Sequence, residues 1–444
     1  MKSGVELSVL QLYEEIFSGQ RAEELARGQG LKAKAKLYGV GLLFWLLIWQ
    51  RLQAPGTLAQ AVQSVRRGEW ARLWPRQRGG RKRASAGTGG YSRARQRMPT
   101  QVAATLTHYL TTELRKYLAE QGPLAQRPVN VLDGSSLQMQ PEAELRERYP
   151  PARNQHGRAH WPVLRIVALH DARTGLALAP AWGPMFGPQA ISEQALAARL
   201  IDQTAREAIL LGDRNFGIFF IAWEATQRKR DVVLRLTKVR AEAMGGRGMA
   251  LGTDRPVVWR PSPWDRRHHP QLPAPAQVSG RLLVLAARGW RQPIYLFTTL
   301  SDPAERVLEL YGLRWNIETD LRSLKRTVRL HRLTSKSNAM VEKELWAAVA
   351  AYNLVRAVML LAARQADLDP RQLSFSAVLY LVNGFLPRLL TCSERTARRE
   401  TKRMIELAVD CTLPKRRRRR SYPRAVWRPG FRYPARREND AASK

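Results

Sequence analysis

The chain has 444 residues, 44% of them hydrophobic, which is ample for a packed core and excludes a wholly disordered protein. Its 74 Lys and Arg against 37 Asp and Glu leave a formal charge of +37, a field that gathers polyanions, nucleic acid ahead of an anionic membrane. Two cysteines, Cys392 and Cys411, argue against a disulfide framework or a thiolate zinc site and suit a reducing compartment.

From the N-terminus, residues 1–120 read as a helical region with a basic linker, expected to touch DNA. The first residues carry acids where an export signal needs an unbroken apolar run. Leu37 to Trp49 is almost wholly apolar but too short for a spanning helix of about 20 residues, so a buried core helix is expected and no membrane. Arg66 to Arg97, rich in Arg, Gly and Ser, reads as an exposed linker or DNA-contacting arm. Helix resumes over Gln101 to Gln121.

The pattern then changes. Pro128 to Met139 reads as a strand running into polar turn residues, and Val163 to His170 and Leu176 to Pro180 as two strands joined by a tight turn. Ser192 to Glu207 is an Ala/Leu-rich helix capped by Ser192. Ala208 to Asp213 is a short apolar run ending in a carboxylate, as a buried strand looks. A helix over Phe216 to Arg228 and a strand over Asp231 to Thr237 follow. Residues 238–300, rich in Gly, Pro and Trp, read as a β-rich insertion with strands at Leu282 to Ala286 and Pro293 to Leu300. A long helix is expected from Pro303 to Val328, further helices over 338–365 and 373–410, and a basic tail from Lys415 that is disordered when free.

Three carboxylates stand out. By the strand period of two, Val129, Val131 and Asp133 share a face, with Asp133 at the strand's end. Asp213 ends its own apolar run, where α/β sheets place ligand sites. On a continuous helix at about 100° per residue, Tyr311, Arg314, Glu318 and Lys325 lie within roughly 60° of one another, beside an apolar stripe of Leu310, Ile317, Leu321, Leu324 and Val328. Each feature alone has a bland reading, as a turn residue or a solvated helix face. Together they outline an oxygen-donor site suited to Mg²⁺ or Mn²⁺ and to in-line displacement at phosphorus.

The residues Asp133-Gly134-Ser135-Ser136-Leu137, Asp213-Arg214-Asn215-Phe216 and Tyr311-x2-Arg314-x3-Glu318-x6-Lys325 resemble the IS4 family of bacterial insertion-sequence transposases, the last by its Y-R-E-K spacing. The resemblance covers about 120–360. It implies an α/β, ribonuclease H-like catalytic core in two parts, 121–237 and 301–365, around the 238–300 insertion, with helical N-terminal and C-terminal regions, the latter at 366–414 before the 415–444 tail. By the same resemblance Asp133, Asp213 and Glu318 are the catalytic metal ligands, and Tyr311, Arg314 and Lys325, with Arg214 beside them, are DNA-contacting. The expected substrate is double-stranded DNA, both transposon terminal inverted repeats and target, worked on by a synaptic homodimer in the bacterial cytoplasm, nucleoid-associated when bound. An aromatic in the insertion, one of Trp259, Trp264 or Trp290, is expected to hold a flipped base. A nuclease of the same fold without strand transfer, or a decayed DNA-binding remnant, stays open as an alternative.

Overall fold

Val129–Gln138 (β1) opens with four buried residues, Val129 to Leu132, as a strand covered on both faces must. The computed structural model describes residues 7–31, 37–53, 56–70, 73, 85–119, 127–155, 157–286, 292–328, 330–331 and 333–413. The expected basic tail lies outside them, as do residues 71–72 and 74–84 of the expected linker and Trp290. The other main strands are β2 (Val163–Asp171), β3 (Ala177–Pro184), β4 (Ile209–Gly212), β5 (Asp231–Leu236), β6 (Asp254–Trp259), β7 (Val278–Leu285) and β8 (Ile294–Thr298). They form one eight-stranded sheet in the order β3-β2-β1-β4-β5-β8-β7-β6, so the protein is mixed α/β. β1 pairs antiparallel to β2 and parallel to β4, and β4 runs parallel to β5.

The residues 238–300 hold helices as well as strands, and their strands do not form a sheet of their own. β8 pairs antiparallel to β5, β7 to β8 and β6 to β7, so the segment prolongs the central sheet from its β5 edge. An exposed edge invites foreign pairing, and here the chain covers β5 with its own later strands. Two helices, Lys238–Gly245 and Pro263–His268, interrupt them.

Helices cover the sheet. In chain order they are α1 (Val9–Ile16), α2 (Arg21–Gly28), α3 (Val40–Leu52), α4 (Leu58–Arg66), α5 (Gly89–Arg97), α6 (Thr100–Ala119), α7 (Ala143–Arg148), α8 (Glu193–Ile201), α9 (Phe219–Gln227), α10 and α11 as just given for the 238–300 segment, α12 (Ala304–Gly312), α13 (Trp315–Arg322), α14 (Asn338–Gln365), α15 (Phe375–Thr391) and α16 (Glu394–Val409). The apolar segment at 37–49 is the buried helix α3. Helix α14 is long and apolar enough to cross a bilayer, yet it is buried in the protein core against α3, α6 and α16.

Two expectations are corrected. Residues 89–97, within the stretch read as linker, form α5. Tyr91 decides this: it is fully buried against Tyr38, and its hydroxyl donates to Gln50 Oε1 at 2.7 Å. Tertiary packing thus overrides the poor helix propensity of Gly89-Gly90. The expected single helix over 303–328 is broken. After Gly312 the backbone tightens into i→i−3 bonds, Arg314 N to Tyr311 O at 3.0 Å just before α13 and Ile317 N to Arg314 O at 3.2 Å in its first turn. It ends in a π-helical turn, Ser323–Thr327, the kind of irregularity that gathers at functional sites.

Helix α14 ties these layers together through buried polar groups. Asn353 receives Ala177 N and donates to Ala177 O, both at 2.8 Å, completing the outer strand β3, and it also donates to Thr111 of α6 at 2.9 Å. Arg356 of α14 pairs with Asp320 of α13, and Arg371 pairs with the same carboxylate oxygen at 2.5 Å while donating to Ala172 O at 2.8 Å. The Asp320 side chain is 1% exposed and that of Arg356 5%. Breaking such a pair strands a buried charge at a cost of about 3–5 kcal/mol. Asp320→Ala is therefore expected to lose about that much stability in denaturant unfolding, and Asp320→Asn less. A midpoint unchanged in Asp320→Ala would show that the pair contributes nothing net.

Candidate active site

Parallel pairing aligns the two aspartates. Val131 lies opposite Leu211 in the β1–β4 register. Asp133 and Asp213 each stand two residues further on, Asp133 still within β1 and Asp213 in the turn just past the end of β4. β4 ends at Gly212, whereas β1 runs on beside β2 alone. A crevice therefore opens beside Asp133 at the carboxyl end of β4, where such sheets bind ligands. The chain turns there sharply: Asp213 Oδ1 accepts Asn215 N at 2.8 Å and Phe216 N at 3.3 Å, and Asp213 O accepts Gly217 N at 2.8 Å. A Cβ on Gly217 would lie 2.0 Å from Arg235 O, so the turn that presents Asp213 needs glycine.

Helices α12 and α13 bring the third carboxylate over this face. Tyr311 and Ile317 pack with Val129, Val131, Ile209 and Leu211, the strand residues leading up to the two aspartates. Burying that stripe leaves Glu318 on the adjoining side, with its side chain 51% exposed and 3.3 Å from Arg314 Nη2. Lys325, on the π-turn, donates from Nζ to Ser135 Oγ at 2.6 Å. Ser135 is two residues beyond Asp133 on β1, so the helix is fastened to the same strand face on which Asp133 stands.

The three carboxylates feel one another. Burial pushes the Asp133 carboxyl up to about 6; the Gly134 N–H at 3.0 Å opposes this, Asp213 and Glu318 add to it, and Arg314 offsets part of their effect. This is an under-compensated acidic centre of hard oxygen donors, the composition that suits a divalent cation. Among the described residues no three His, Cys, Asp or Glu side chains are gathered at metal-holding distance. As they stand, Asp133 and Asp213 cap their own backbone and Glu318 leans on Arg314.

The other expected residues fall in two groups. Tyr311 is 1% and Arg314 6% exposed, so both lie beneath the site rather than on its surface. Burial raises the Tyr311 hydroxyl, with Arg314 and Arg235 opposing and Asp213 adding to the shift. The Arg314 guanidinium lies 4.5 Å from the Trp315 ring centroid, and its Nε has no hydrogen-bond partner. Arg214 is exposed beside Asp213, and Lys325 is half-buried. Of the tryptophans, Trp259 is 9% exposed and packs edge-on against Phe297 at 4.9 Å, while Trp264 is 52% exposed and stacks on His268 at 4.0 Å.

Sequence reasoning missed Glu193, Asn215 and Arg235. Glu193 begins α8, and its carboxyl is raised by burial, lowered by Arg165 and raised again by Asp213. Asn215 donates to Glu193 Oε2, and its own Oδ1 accepts Gln194 Nε2 at 2.7 Å. The Ser192-Glu193 pair is an ordinary helix start in sequence; only strand pairing brings it to Asp213.

Comparison with known proteins gives the family. The chain is 31% identical over 285 residues to the transposase InsG for insertion sequence element IS4 of Escherichia coli (strain K12), an alignment covering 62% of this chain and 62% of that protein, so it spans less than two thirds of the relative. A piggyBac transposase synaptic complex with hairpin DNA aligns at 12% identity over 90% of this chain and 86% of that one, with a TM-score of 0.41, too low to carry weight. The model of the transposase DDE domain matches residues 124–354, which include β1, the Asp213 turn and the helix of Glu318. The chain belongs to the DDE-domain transposase family, and its motifs and relative are of the IS4 type.

Proposed function

We propose that this protein is a DNA transposase that cuts at the ends of a mobile element and joins them to target DNA. The observation that carries the reading is the placement of Asp133 in β1 and of Asp213 just past the end of the neighbouring parallel strand β4, with Asp213 and Glu318 both helping to raise the Asp133 carboxyl. The strand order β3-β2-β1-β4-β5, with β2 antiparallel to both its neighbours, supports a ribonuclease H-like core. A divalent cation, Mg²⁺ or Mn²⁺, fits the donor set, and when bound supplies Lewis-acid polarisation of the phosphoryl oxygen and activation of the attacking hydroxyl.

The chain's own residues do the rest. Asp133 stands within β1, and Asp213 follows directly on β4 in a turn tied by bonds from Asn215 N and Phe216 N to its own carboxylate. Arg314 orients Glu318 from below and tempers the charge of Asp133. Exposed Arg214 and half-buried Lys325 border the crevice and suit successive phosphates, with the +37 net charge drawing DNA to the surface. Tyr311 supports the helix from the core side. Two copies, one per element end, complete the reading as a synaptic homodimer acting in the bacterial cytoplasm on nucleoid DNA.

The insertion contributes an aromatic site. A cavity of about 710 Å³ is lined by Phe219, Arg240, Trp259, Arg260, Trp264 and Asp265. Trp264 is the exposed indole at this cavity and Trp259 is engaged in packing, so Trp264 is assigned as the residue that stacks a displaced base.

Asp133→Asn, Asp213→Asn and Glu318→Gln are each expected to lower cleavage of end-bearing DNA by more than roughly 1,000-fold, since they remove a cation ligand, while filter binding of the same DNA stays within a few-fold. Near-normal cutting by any one of them removes that residue from the site. Joining of the cut end to a target plasmid by the unsubstituted chain separates a transposase from a plain nuclease, which would cut without joining. Trp264→Ala is expected to lower the fluorescence change of a 2-aminopurine placed at the element end and to weaken end processing by about tenfold, the scale of one lost base stack. Trp259→Ala should instead lower thermal stability. Normal processing by Trp264→Ala would overturn that assignment.

A further inference from the structure

Between β1 and β2 the chain makes an excursion, residues 139–162, at the end of the sheet where the candidate site lies. β1 runs parallel to β4, whose end leads into Asp213, and continues past Asp133 to Gln138. At about 3.3 Å per residue this places the base of the excursion roughly 17 Å beyond Asp133. The base is well fastened. Leu145 and Tyr149 are buried, Met139 N donates to Pro162 O at 3.1 Å, and Arg148 donates to Gln189 Oε1 at 2.7 Å. On it stands a short hairpin in which Arg153–Asn154 pairs antiparallel with Gly157–Arg158, and Ala159 N donates to Ala152 O at 2.8 Å.

The hairpin sets Arg153 directly opposite Arg158. Such cross-strand neighbours have Cβ atoms about 5 Å apart, and like charges there are destabilising. Both arginines are exposed. Among the described residues no acid pairs with either: Glu142 pairs with Lys336 at 3.1 Å, and Glu144 accepts Asn338 N at 2.8 Å. Two guanidiniums held side by side make a fork for an anion, and their planar donors suit phosphate. Beside them Trp161 is 41% exposed. Arg146 Nη2 meets His160 Nδ1 at 3.0 Å and donates to His160 O at 2.8 Å, and the His160 ring stands edge-on to the indole at 5.1 Å. A lone exposed tryptophan is an ordinary surface feature. Next to two like charges it completes the pairing of cation and flat apolar surface that nucleic acids take.

The strand order selects which DNA this is. In β3-β2-β1-β4-β5-β8-β7-β6 the aspartates belong to β1 and β4, the Trp264 cavity lies on the β5 side, and the hairpin lies on the β2 side. With the element end handled at Trp264, DNA crossing the reacting phosphate leaves toward the hairpin. A donor flank is covalently joined to the element end and needs no grip of its own. A target must be caught from solution whatever its sequence, and contacts to phosphate and sugar carry no sequence information. We propose that the 152–161 hairpin is the grip for target DNA, Arg153 and Arg158 sharing a phosphate of the target duplex and Trp161 lying against the backbone beside it. The proposal rests on reading the chain as a transposase with its element end at Trp264.

The test loads the full chain with a duplex of the inverted repeat beside its gene, pre-cut so that no flank remains, and follows joining against supercoiled plasmid concentration. The double variant Arg153→Gln/Arg158→Gln is expected to raise the plasmid concentration for half-maximal joining on the order of tenfold. It should also lower the log–log salt slope of target capture by about one to two, the share of two phosphate contacts. Its thermal melt should be unchanged or slightly higher, because opposed like charges are removed. Trp161→Ala should shift the same midpoint with the salt slope unchanged. Half-maximal joining by the double variant within twofold of the unsubstituted chain overturns the grip. An equal loss in cutting of an end that keeps its flank also overturns it, by giving the arginines to the flank. If the unsubstituted chain joins nothing, the transposase reading fails and the target grip with it.

Discussion

Parallel strands that share a register keep residues equally far beyond a paired position side by side. The pairing of Val131 with Leu211 therefore sets where Asp133 and Asp213 stand relative to each other. A slip of one residue would turn one aspartate to the other face of the sheet. The slip is resisted because Val129, Val131, Ile209 and Leu211 fill one apolar layer under α12 and α13, while Leu132 and Leu210 fill the other. Placement of charge thus rests on placement of hydrocarbon, a few residues upstream on each strand.

The third carboxylate has no such register to rely on. Its helix is broken before α13 and π-wound after it, so something outside must locate it. Asp320 does so, two residues from Glu318, by pairing with Arg356 and Arg371 in a region nearly closed to water. Lys325 adds a second point of attachment at Ser135. Between these anchors the exposed Glu318 side chain lies 3.3 Å from Arg314 Nη2.

Local chemistry written into short stretches was legible in the sequence. The apolar runs ending at Asp133 and Asp213 announce buried strands, and the buried stripe of Leu310, Ile317, Leu321, Leu324 and Val328 was visible as a periodicity. What depends on partners distant in sequence was not. Residues 254–298 extend the main sheet because β8 returns to the β5 edge, and nothing in their composition specifies that edge. The break after Gly312 hides within a helical pattern because its i→i−3 bonds shift the phase only slightly. Tyr91 looked like part of a Gly/Arg/Ser-rich tether until its partners, Tyr38 and Gln50, were brought to it. Glu193 was invisible for the same reason: its bond from Asn215 exists only once α8 is laid beside the Asp213 turn.

The position of Arg356 and Arg371 in the chain has a further consequence. Synthesis is vectorial, and earlier segments can fold before later ones emerge. The two aspartates belong to strands made early, but the arginines that secure the Glu318 helix come from α14 and the segment following it. A nascent or prematurely terminated chain therefore carries the aspartates without a fixed glutamate. The glutamate is therefore located against the aspartates only after α14 and the segment following it have been made and packed.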